Sequence, residues 1–264
     1  AQSASLIGRY ARITPSSANA SLSEIISNER RANLQKPPIY MQVVYEDNHI
    51  IIVSKVSGEI VQGDKTGDEP LSETVKQYIK EKYQKPGNVF LGVVHRLDRP
   101  VSGLVVFAKT SKSLSRLCTM FRDGDVHKTY WALTKNRPAE SEGTITSWLV
   151  RNEQQNKSYS YDHEVRNSKK AILKYRLIGQ TDNYSLLEVS LLTGRHHQIR
   201  CQLASIGCPI KGDLKYGAPR SNPDGSISLL ARRVQFVHPV SQQPVDVVAP
   251  IPDDNLWRSI TASL

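Results

Sequence analysis

An aspartate flanked by arginines is the part of this sequence whose residue types best suit chemistry. Asp98 lies between Arg96 and Arg99, within residues 95–100, and an apolar run at residues 104–108 follows. Nearby cations lower the pKa of a carboxyl group and keep it ionised, as a nucleophile or a base requires. Surface ion-pair clusters have the same composition, so this pattern taken alone leaves a structural role equally open.

A second segment, residues 128–133, offers an aromatic ring on a predicted strand. Side chains alternate along a strand, so Tyr130 and Ala132 share one face while Trp131 and Leu133 share the other. The ring of Tyr130 could stack on a nucleobase, whereas most strand tyrosines pack into a core or a sheet face. Taken alone, this segment favours the packing role.

A third segment, residues 192–200, is rich in arginine and histidine. We predict a helix that begins near Arg195 and ends at Gly207, with His196 and Arg200 on one face. Backbone N–H groups at the start of such a helix, together with the two arginines, would suit a phosphate or a carboxylate.

Histidines and cysteines near this segment raise the hypothesis of a zinc site. His196, His197, Cys201 and Cys208 lack the paired spacing that closed zinc sites usually have, so the sequence disfavours zinc. We expect these two cysteines and Cys118 to be small buried hydrophobic residues. A Gly-x-Ser-x-Gly elbow and the Walker and dinucleotide glycine patterns are absent from the sequence, which disfavours a serine hydrolase and a nucleotide-binding enzyme.

Composition limits the class of protein. The chain has 264 residues, with 39% hydrophobic and 23% charged residues, which is ordinary for a globular protein. No run approaches 18 consecutive apolar residues, so we expect neither a transmembrane helix nor a membrane partner. Three cysteines without a C-x-x-C pair favour a reducing compartment over a secreted disulfide scaffold.

Positive charge is abundant and unevenly distributed. Lys and Arg number 35 against 25 Asp and Glu, a net charge of +10. Residues 166–220 hold ten of these cations and three acids, so 10 − 3 gives +7 in about a fifth of the chain. A concentration of this kind beside the third segment favours contact with the phosphates of a nucleic acid.

The elements that must position these segments are many strands and few helices. Strands are predicted at residues 43–45, 50–53, 93–94, 104–108, 130–133, 145–150, 171–178 and 184–192, and further helices at residues 70–85 and 111–122. Thr110 is the predicted N-cap of the second of these helices. Because strands and helices do not alternate regularly, we predict an α+β fold whose core is a mainly antiparallel, mixed sheet with flanking helices and loops.

The first forty residues differ from the rest of the chain. Residues 1–23 contain Arg9 and Arg12 but no acidic residue, and they are rich in Ser and Ala. We therefore predict an N-terminal extension over residues 1–40 that is a leader, a transit-like segment or an expression remnant, followed by a catalytic domain over residues 41–264.

Taken in order, the three segments resemble the RluA-type pseudouridine synthase family. The resemblance lies in residues 95–104, 128–133 and 194–200, and it continues in residues 207–217 and 238–239. It covers approximately residues 43–252 and implies the pseudouridine synthase fold. It also implies an enzyme that isomerises uridine to pseudouridine in structured RNA, ribosomal or transfer RNA, without a metal or an organic cofactor. We expect a cytoplasmic monomer.

The resemblance also implies roles for single residues. Asp98 would be the catalytic carboxylate, attacking either the ribose or the base, Tyr130 would stack on the target uracil, and Arg200 would pair with Asp98. Further contacts with RNA or with the base would come from Arg96, which fills the gap left by the flipped uridine, from Leu229, which lines the uracil pocket, and from Arg195, Arg99 and His197. Such an enzyme must flip the uridine out of its stack, which costs a few kcal/mol.

Two other functions are weighed against this one. A basic RNA-binding module with an idle catalytic motif has the same charge, but it does not require Asp98, Tyr130 and Arg200 together. A glycoside or nucleoside hydrolase would need a second carboxylate, and the sequence shows no clear candidate near Asp98.

Overall fold

Eleven β-strands form one hydrogen-bonded sheet in the computed structural model, which describes residues 41–262 and Leu264. The prediction for residues 1–40 lies outside the described residues. The strands are β1 (Gln42–Glu46), β2 (Ile50–Lys55), β3 (Gly92–Val93), β4 (Ser102–Ala108), β5 (His127–Thr134), β6 (Glu142–Asn152), β7 (Lys157–Tyr161), β8 (Lys169–Gln180), β9 (Ser185–Leu191), β10 (Leu229–Val237) and β11 (Pro244–Val248). The helices are α1 (Leu71–Lys82), α2 (Ser111–Asp123), α3 (Gln198–Ser205) and α4 (Asn255–Thr261), with a short 3₁₀ helix at Leu214–Tyr216.

The order of the strands is β1-β2-β4-β10-β5-β9-β8-β6-β7, with β3 beside β4 and β11 beside β10. The pairing of β4 with β10 is parallel, and the other pairings of the described strands are antiparallel. The predicted α+β fold with a mainly antiparallel, mixed sheet is therefore confirmed.

Side chains on β2 show how the sheet separates two hydrophobic layers. Ile51 and Val53 point to one face, together with buried residues of α1 and α3. Ile50 and Ile52 point to the opposite face, where α2 and α4 pack. We call the face under α1 and α3 the site face. Tyr130 and Ala132 lie on the site face of β5 and Leu133 lies on the other, so the predicted alternation of this strand is confirmed.

The predicted helix with Thr110 as its N-cap is also confirmed. The side chain of Thr110 accepts a hydrogen bond from the Ser113 N–H, and the Ser113 side chain accepts one from the Thr110 N–H, which forms a capping box. These reciprocal bonds satisfy two N–H groups that the first turn of a helix leaves without partners.

The predicted start of α3 near Arg195 is wrong, because the helix begins at Gln198. His197 has a left-handed backbone conformation, with φ of 51°, which cannot continue into a right-handed helix. His196 consequently lies before the helix and does not share a helical face with Arg200, and Arg195 is not at the helix start.

The sequence prediction also missed several elements. β7, β10, β11 and α4 were not predicted, and β10 turns out to be the central strand that pairs with β4, β5 and β11. The expectation that the three cysteines are buried holds for Cys201 and Cys208 but is wrong for Cys118, which is exposed on the surface of α2.

The parallel contact between β4 and β10 requires a glycine. Gly103 has φ of +114°, and a Cβ atom there would lie 2.4 Å from the carbonyl oxygen of Ala231. Only a residue without a side chain permits this approach. The contact brings the loop that precedes β4, which contains Asp98, against the first residues of β10.

Candidate active site

A cleft of about 90 Å³ opens on the site face, between the loop before β4, the middle of β5, the start of β10 and α3. Seven of the eight predicted site residues line it. Its lining residues are Arg96, Leu97, Asp98, Val101, Tyr130, Leu191, Arg195, His197, Gln198, Ile199, Arg200 and Leu229. Arg99 is the predicted site residue that does not belong to this lining.

The loop with Asp98 is held by a buried lysine that sequence reasoning missed. Lys55, at the end of β2, is 1% exposed, and its ammonium group donates hydrogen bonds to the carbonyl oxygens of Val56 (3.0 Å), Arg99 (3.1 Å) and Val101 (2.6 Å). Burial lowers the pKa of Lys55 to about 8, with the positive charge of Arg99 adding to the effect, while Glu59 and Asp98 oppose it. Lys55 thus fixes the backbone that follows Asp98 in the sequence, at Arg99 and Val101.

The carboxylate of Asp98 forms an ion pair with a guanidinium that is itself fixed. Arg200 Nη1 lies 3.0 Å from Asp98 Oδ2. Its Nε and Nη2 donate to the two oxygens of Asp213 at 2.7 and 2.8 Å, so that Asp213 binds the guanidinium in a bidentate manner. The side chain of Asp213 is 1% exposed and that of Arg200 is 5% exposed, whereas that of Asp98 is 29% exposed and therefore accessible to a substrate.

The two carboxylates beside Arg200, those of Asp213 and Asp98, keep its guanidinium protonated. Burial opposes the charge of Arg200, but the hydrogen bonds and charge of Asp213, with those of Asp98, raise its pKa. The predicted pairing of Asp98 with Arg200 is present in the structure. The partner of Asp98 is thus Arg200 from α3, whereas Arg99, next to Asp98 in the sequence, pairs with Asp68.

Arg99 turns away from the cleft towards the loop between β2 and α1. Its Nη2 lies 2.7 Å from Asp68 Oδ2 and 3.8 Å from Asp64 Oδ2, and it donates to Thr66 Oγ1 at 2.9 Å. Its expected contact with RNA would require Arg99 to leave these partners, so the structure separates Arg99 from the other site residues.

His197 lies beside the same carboxylate. Its Nε2 is 3.5 Å from Asp98 Oδ2, and its Nδ1 is 3.0 Å from the hydroxyl oxygen of Tyr216. Burial, followed by the charge of Arg200, lowers the pKa of His197 to about 2, so its ring is neutral at pH 7.

Tyr130 presents a neutral phenol to the cleft. The side chain is 8% exposed on the site face of β5. Burial raises its pKa, and the negative charge of Asp98 raises it further. The residue therefore supplies an aromatic face and a protonated hydroxyl group, with no phenolate base at neutral pH.

The remaining lining residues divide into an apolar floor and a basic rim. Leu229, which is 4% exposed at the start of β10, belongs to the floor. Arg96 and Arg195 are exposed at the rim, and Arg195 Nε donates to the carbonyl oxygen of Lys170 at 3.0 Å. The cleft thus combines a part-exposed carboxylate, an aromatic ring and an apolar floor with a rim of cations.

The histidines and cysteines considered for zinc have other partners. The rings of His196 and His197 stack with centroids 3.8 Å apart, and His196 Nδ1 lies 2.9 Å from the Ser158 hydroxyl. Cys201 donates to the carbonyl oxygen of Ser158 at 3.2 Å. Within residues 41–262, no three His, Cys, Asp or Glu side chains are grouped so that they could hold a metal ion.

Comparison with known proteins identifies the family. Residues 49–205 match the model of the family described as RNA pseudouridylate synthase. The chain is a member of the RluA-type RNA pseudouridine synthases. The synthase is therefore an isomerase that acts on RNA.

Relatives support this assignment over most of the chain. The synthase is 31% identical over 235 residues to "Ribosomal large subunit pseudouridine synthase D" of Zymomonas mobilis, an alignment that covers 85% of this chain and 74% of the relative. It is 32% identical over 225 residues to "Uncharacterized RNA pseudouridine synthase YhcT" of Bacillus subtilis, covering 83% of this chain and 72% of the relative.

A solved structure shares the fold. "Human RNA Pseudouridylate Synthase Domain Containing 4" superposes with a TM-score of 0.67 at 22% identity, covering 87% of this chain and 94% of that chain. In the described part of the synthase, no helix has the length and apolar character needed to cross a membrane.

Proposed function

We propose that the synthase converts uridine to pseudouridine in ribosomal RNA, with Asp98 as the catalytic carboxylate. The observation that carries this proposal is the position of Asp98, which is part-exposed in the cleft while its ion-pair partner Arg200 is buried behind it. That the synthase acts as a monomer stays a prediction. Relatives named for the large ribosomal subunit favour ribosomal RNA over transfer RNA, and we propose that the reaction takes place in the cytoplasm.

The reaction requires a carboxylate because a glycosidic bond must break and a new bond must form within one nucleotide. The bond from N1 of uracil to C1′ of ribose breaks and a bond from C5 to C1′ forms. C5 loses its proton and N1 gains one, so substrate and product are isomers. Asp98 would act as the nucleophile or base of this sequence, on the ribose or on the base.

The depth of the cleft supports base flipping. Tyr130 and Leu229 are each less than 10% exposed, and a uracil within a helical stack could not lie against them. The target nucleotide would therefore leave its stack, at a cost of a few kcal/mol. We propose that Tyr130 then stacks on the uracil, that Leu229 lines the apolar side of the pocket and that Arg96 fills the gap left in the RNA.

The basic rim would bind the backbone of the RNA. Arg195 and Arg96 are exposed beside the cleft, so they are placed for phosphates that flank the flipped uridine. Arg99 would join them only by exchanging Asp68 for a phosphate, and His197 would act close to the base.

The test is the variant Asp98→Asn, which removes the charge but keeps the shape. Tritium release from RNA transcripts labelled at C5 of uridine should fall by at least about a thousandfold, because a nucleophile or base is lost. Thermal unfolding and RNA binding should stay close to those of the wild type. Asp182→Asn, an exposed aspartate in the turn between β8 and β9, is the matched control and should retain full activity.

The same assay tests the substrate. Labelled ribosomal RNA should release tritium and transfer RNA should not. Turnover by Asp98→Asn within about tenfold of the wild type would refute the role of Asp98. Tight RNA binding without tritium release from any RNA, even by the wild type, would show a binding module and refute the proposed activity.

A further inference from the structure

One motif of the sequence has no role in the function described so far. Residues 207–217 form the connection from α3 through the 3₁₀ helix, and this connection contains Asp213 and Tyr216. Asp213 grips Arg200 and Tyr216 contacts His197. The connection therefore touches both groups that face the carboxylate of Asp98.

The hydrogen bonds of Tyr216 favour one direction. A backbone N–H can only donate, and the N–H of Ser158 lies 2.8 Å from the Tyr216 hydroxyl oxygen. The hydroxyl oxygen is thus an acceptor there. Among the described residues, Nδ1 of His197 at 3.0 Å is the one acceptor for the hydroxyl proton, so donation from Tyr216 to Nδ1 leaves no proton without a partner. Burial raises the pKa of Tyr216, so this proton is retained.

The direction of that bond decides which nitrogen of His197 has a hydrogen. A neutral imidazole has one N–H and one acceptor nitrogen. Because Nδ1 accepts from Tyr216, the hydrogen is on Nε2, the atom 3.5 Å from Asp98 Oδ2. In the other tautomer, the lone pair of Nε2 would face the carboxylate, which is unfavourable.

We propose that His197 directs an N–H group at the catalytic carboxylate, in a contact of 3.5 Å that is longer than an ordinary hydrogen bond, and that Tyr216 is a positioning residue that holds His197 in the required tautomer. This inference rests on the proposed role of Asp98. His197 was predicted to bind RNA or the base, and here it acts on the carboxylate as well.

The geometry also assigns different roles to the two oxygens of Asp98. Arg200 Nη1 and His197 Nε2 both approach Oδ2, at 3.0 and 3.5 Å. No hydrogen bond from the described residues reaches Oδ1 of Asp98. Arg200 therefore holds Oδ2, with His197 Nε2 beside it, and Oδ1 is left as the oxygen that meets the substrate.

Nuclear magnetic resonance of the wild-type synthase tests the tautomer directly. With ¹⁵N-labelled histidine, the signals of His197, assigned by their loss in His197→Gln, should show a neutral ring with the hydrogen on Nε2 at pH 7. A hydrogen on Nδ1, or a doubly protonated ring, would overturn the proposal. The measurement does not depend on turnover, so it is separate from failure of the proposed activity.

A double-mutant cycle tests the function of the tautomer. Tyr216→Phe should lower kcat by about three- to tenfold with little change in KM, because the N–H of His197 would no longer be held towards the reacting carboxylate. Glutamine at position 197 has an amide N–H that does not depend on a tautomer. Tyr216→Phe should therefore have little further effect on kcat in the His197→Gln background.

A purely structural role predicts a different result. If Tyr216 only supports the fold, Tyr216→Phe lowers kcat equally in both backgrounds, and the proposal is overturned. Tyr78→Phe is the matched control, because it removes a hydroxyl group that donates to Glu46 at 3.0 Å, far from the cleft, and kcat should not change. Should His197→Gln fail to fold, the signals of His197 can be assigned as those that differ between the wild type and Tyr216→Phe. These signals then report the tautomer at position 197.

Discussion

Replacing Lys55 with methionine should separate loop positioning from general stability. Methionine has similar length and is apolar, so it fills the space without the ammonium group. The change removes three hydrogen bonds, two of which hold carbonyl groups on the loop of Asp98. The loop should then sample positions in which Asp98 no longer meets Arg200.

The magnitude follows from two opposing terms. Each hydrogen bond from a charged donor contributes about 1.5–3 kcal/mol. Burial lowers the pKa of Lys55 from 10.5 to about 8, which is about 3 kcal/mol against the charged form that methionine no longer buries. We expect a net loss of about 2–6 kcal/mol in the free energy of unfolding, together with a fall in kcat of about a hundredfold, the effect of a misplacement of about 1 Å.

Lys109→Met provides the matched control. Lys109 is also buried, and its ammonium donates to Glu46 and to the carbonyl oxygen of Asp47 at the opposite end of β4, each at 2.6 Å. Both variants should unfold at lower urea concentration than the wild type, but only Lys55→Met should lose kcat in the tritium-release assay at a temperature where both are folded. Equal kcat values for the two variants would refute the positioning role of Lys55.

Two further predictions concern stability. Gly103→Ala should lower the free energy of unfolding by about 2–4 kcal/mol, because its Cβ would meet the Ala231 carbonyl and its φ is positive. Gly58→Ala, where φ is positive but the space is open, should lower it by about 1 kcal/mol in the same urea titration. Burial alone would raise the pKa of Glu46, but hydrogen bonds from Lys109 and other groups lower it to about 2. The folded pKa is below the ordinary 4.5, so this stabilisation is complete above pH 4.5 and is lost as the pH falls towards 2. Glu46→Gln should lack that part of the pH dependence, and equal acid dependence of the urea midpoints would contradict the assignment.

Local patterns predicted the parts of the fold that depend on neighbouring residues. The alternation along β5 and the cap at Thr110 are both confirmed, because side-chain period and capping are set within a few residues. The start of α3 was predicted wrongly. Histidine is normally compatible with a helix, so its residue type gives no sign of the left-handed conformation that His197 adopts. Its conformation is stabilised by contacts with Tyr216 and with the region around Asp98, which are distant in sequence.

The sequence by itself determined the chemical groups of the site and the faces of its strands. Asp98, Tyr130 and Arg200 were selected because the motifs that contain them resemble those of the family. The tertiary structure decided which groups meet. Asp98 and Arg200 are 102 residues apart, and Lys55 is 46 residues from the carbonyl that it binds most closely. Such contacts depend on the order of strands in the sheet, and the parallel pairing of β4 with β10 depends on an element that no local pattern revealed.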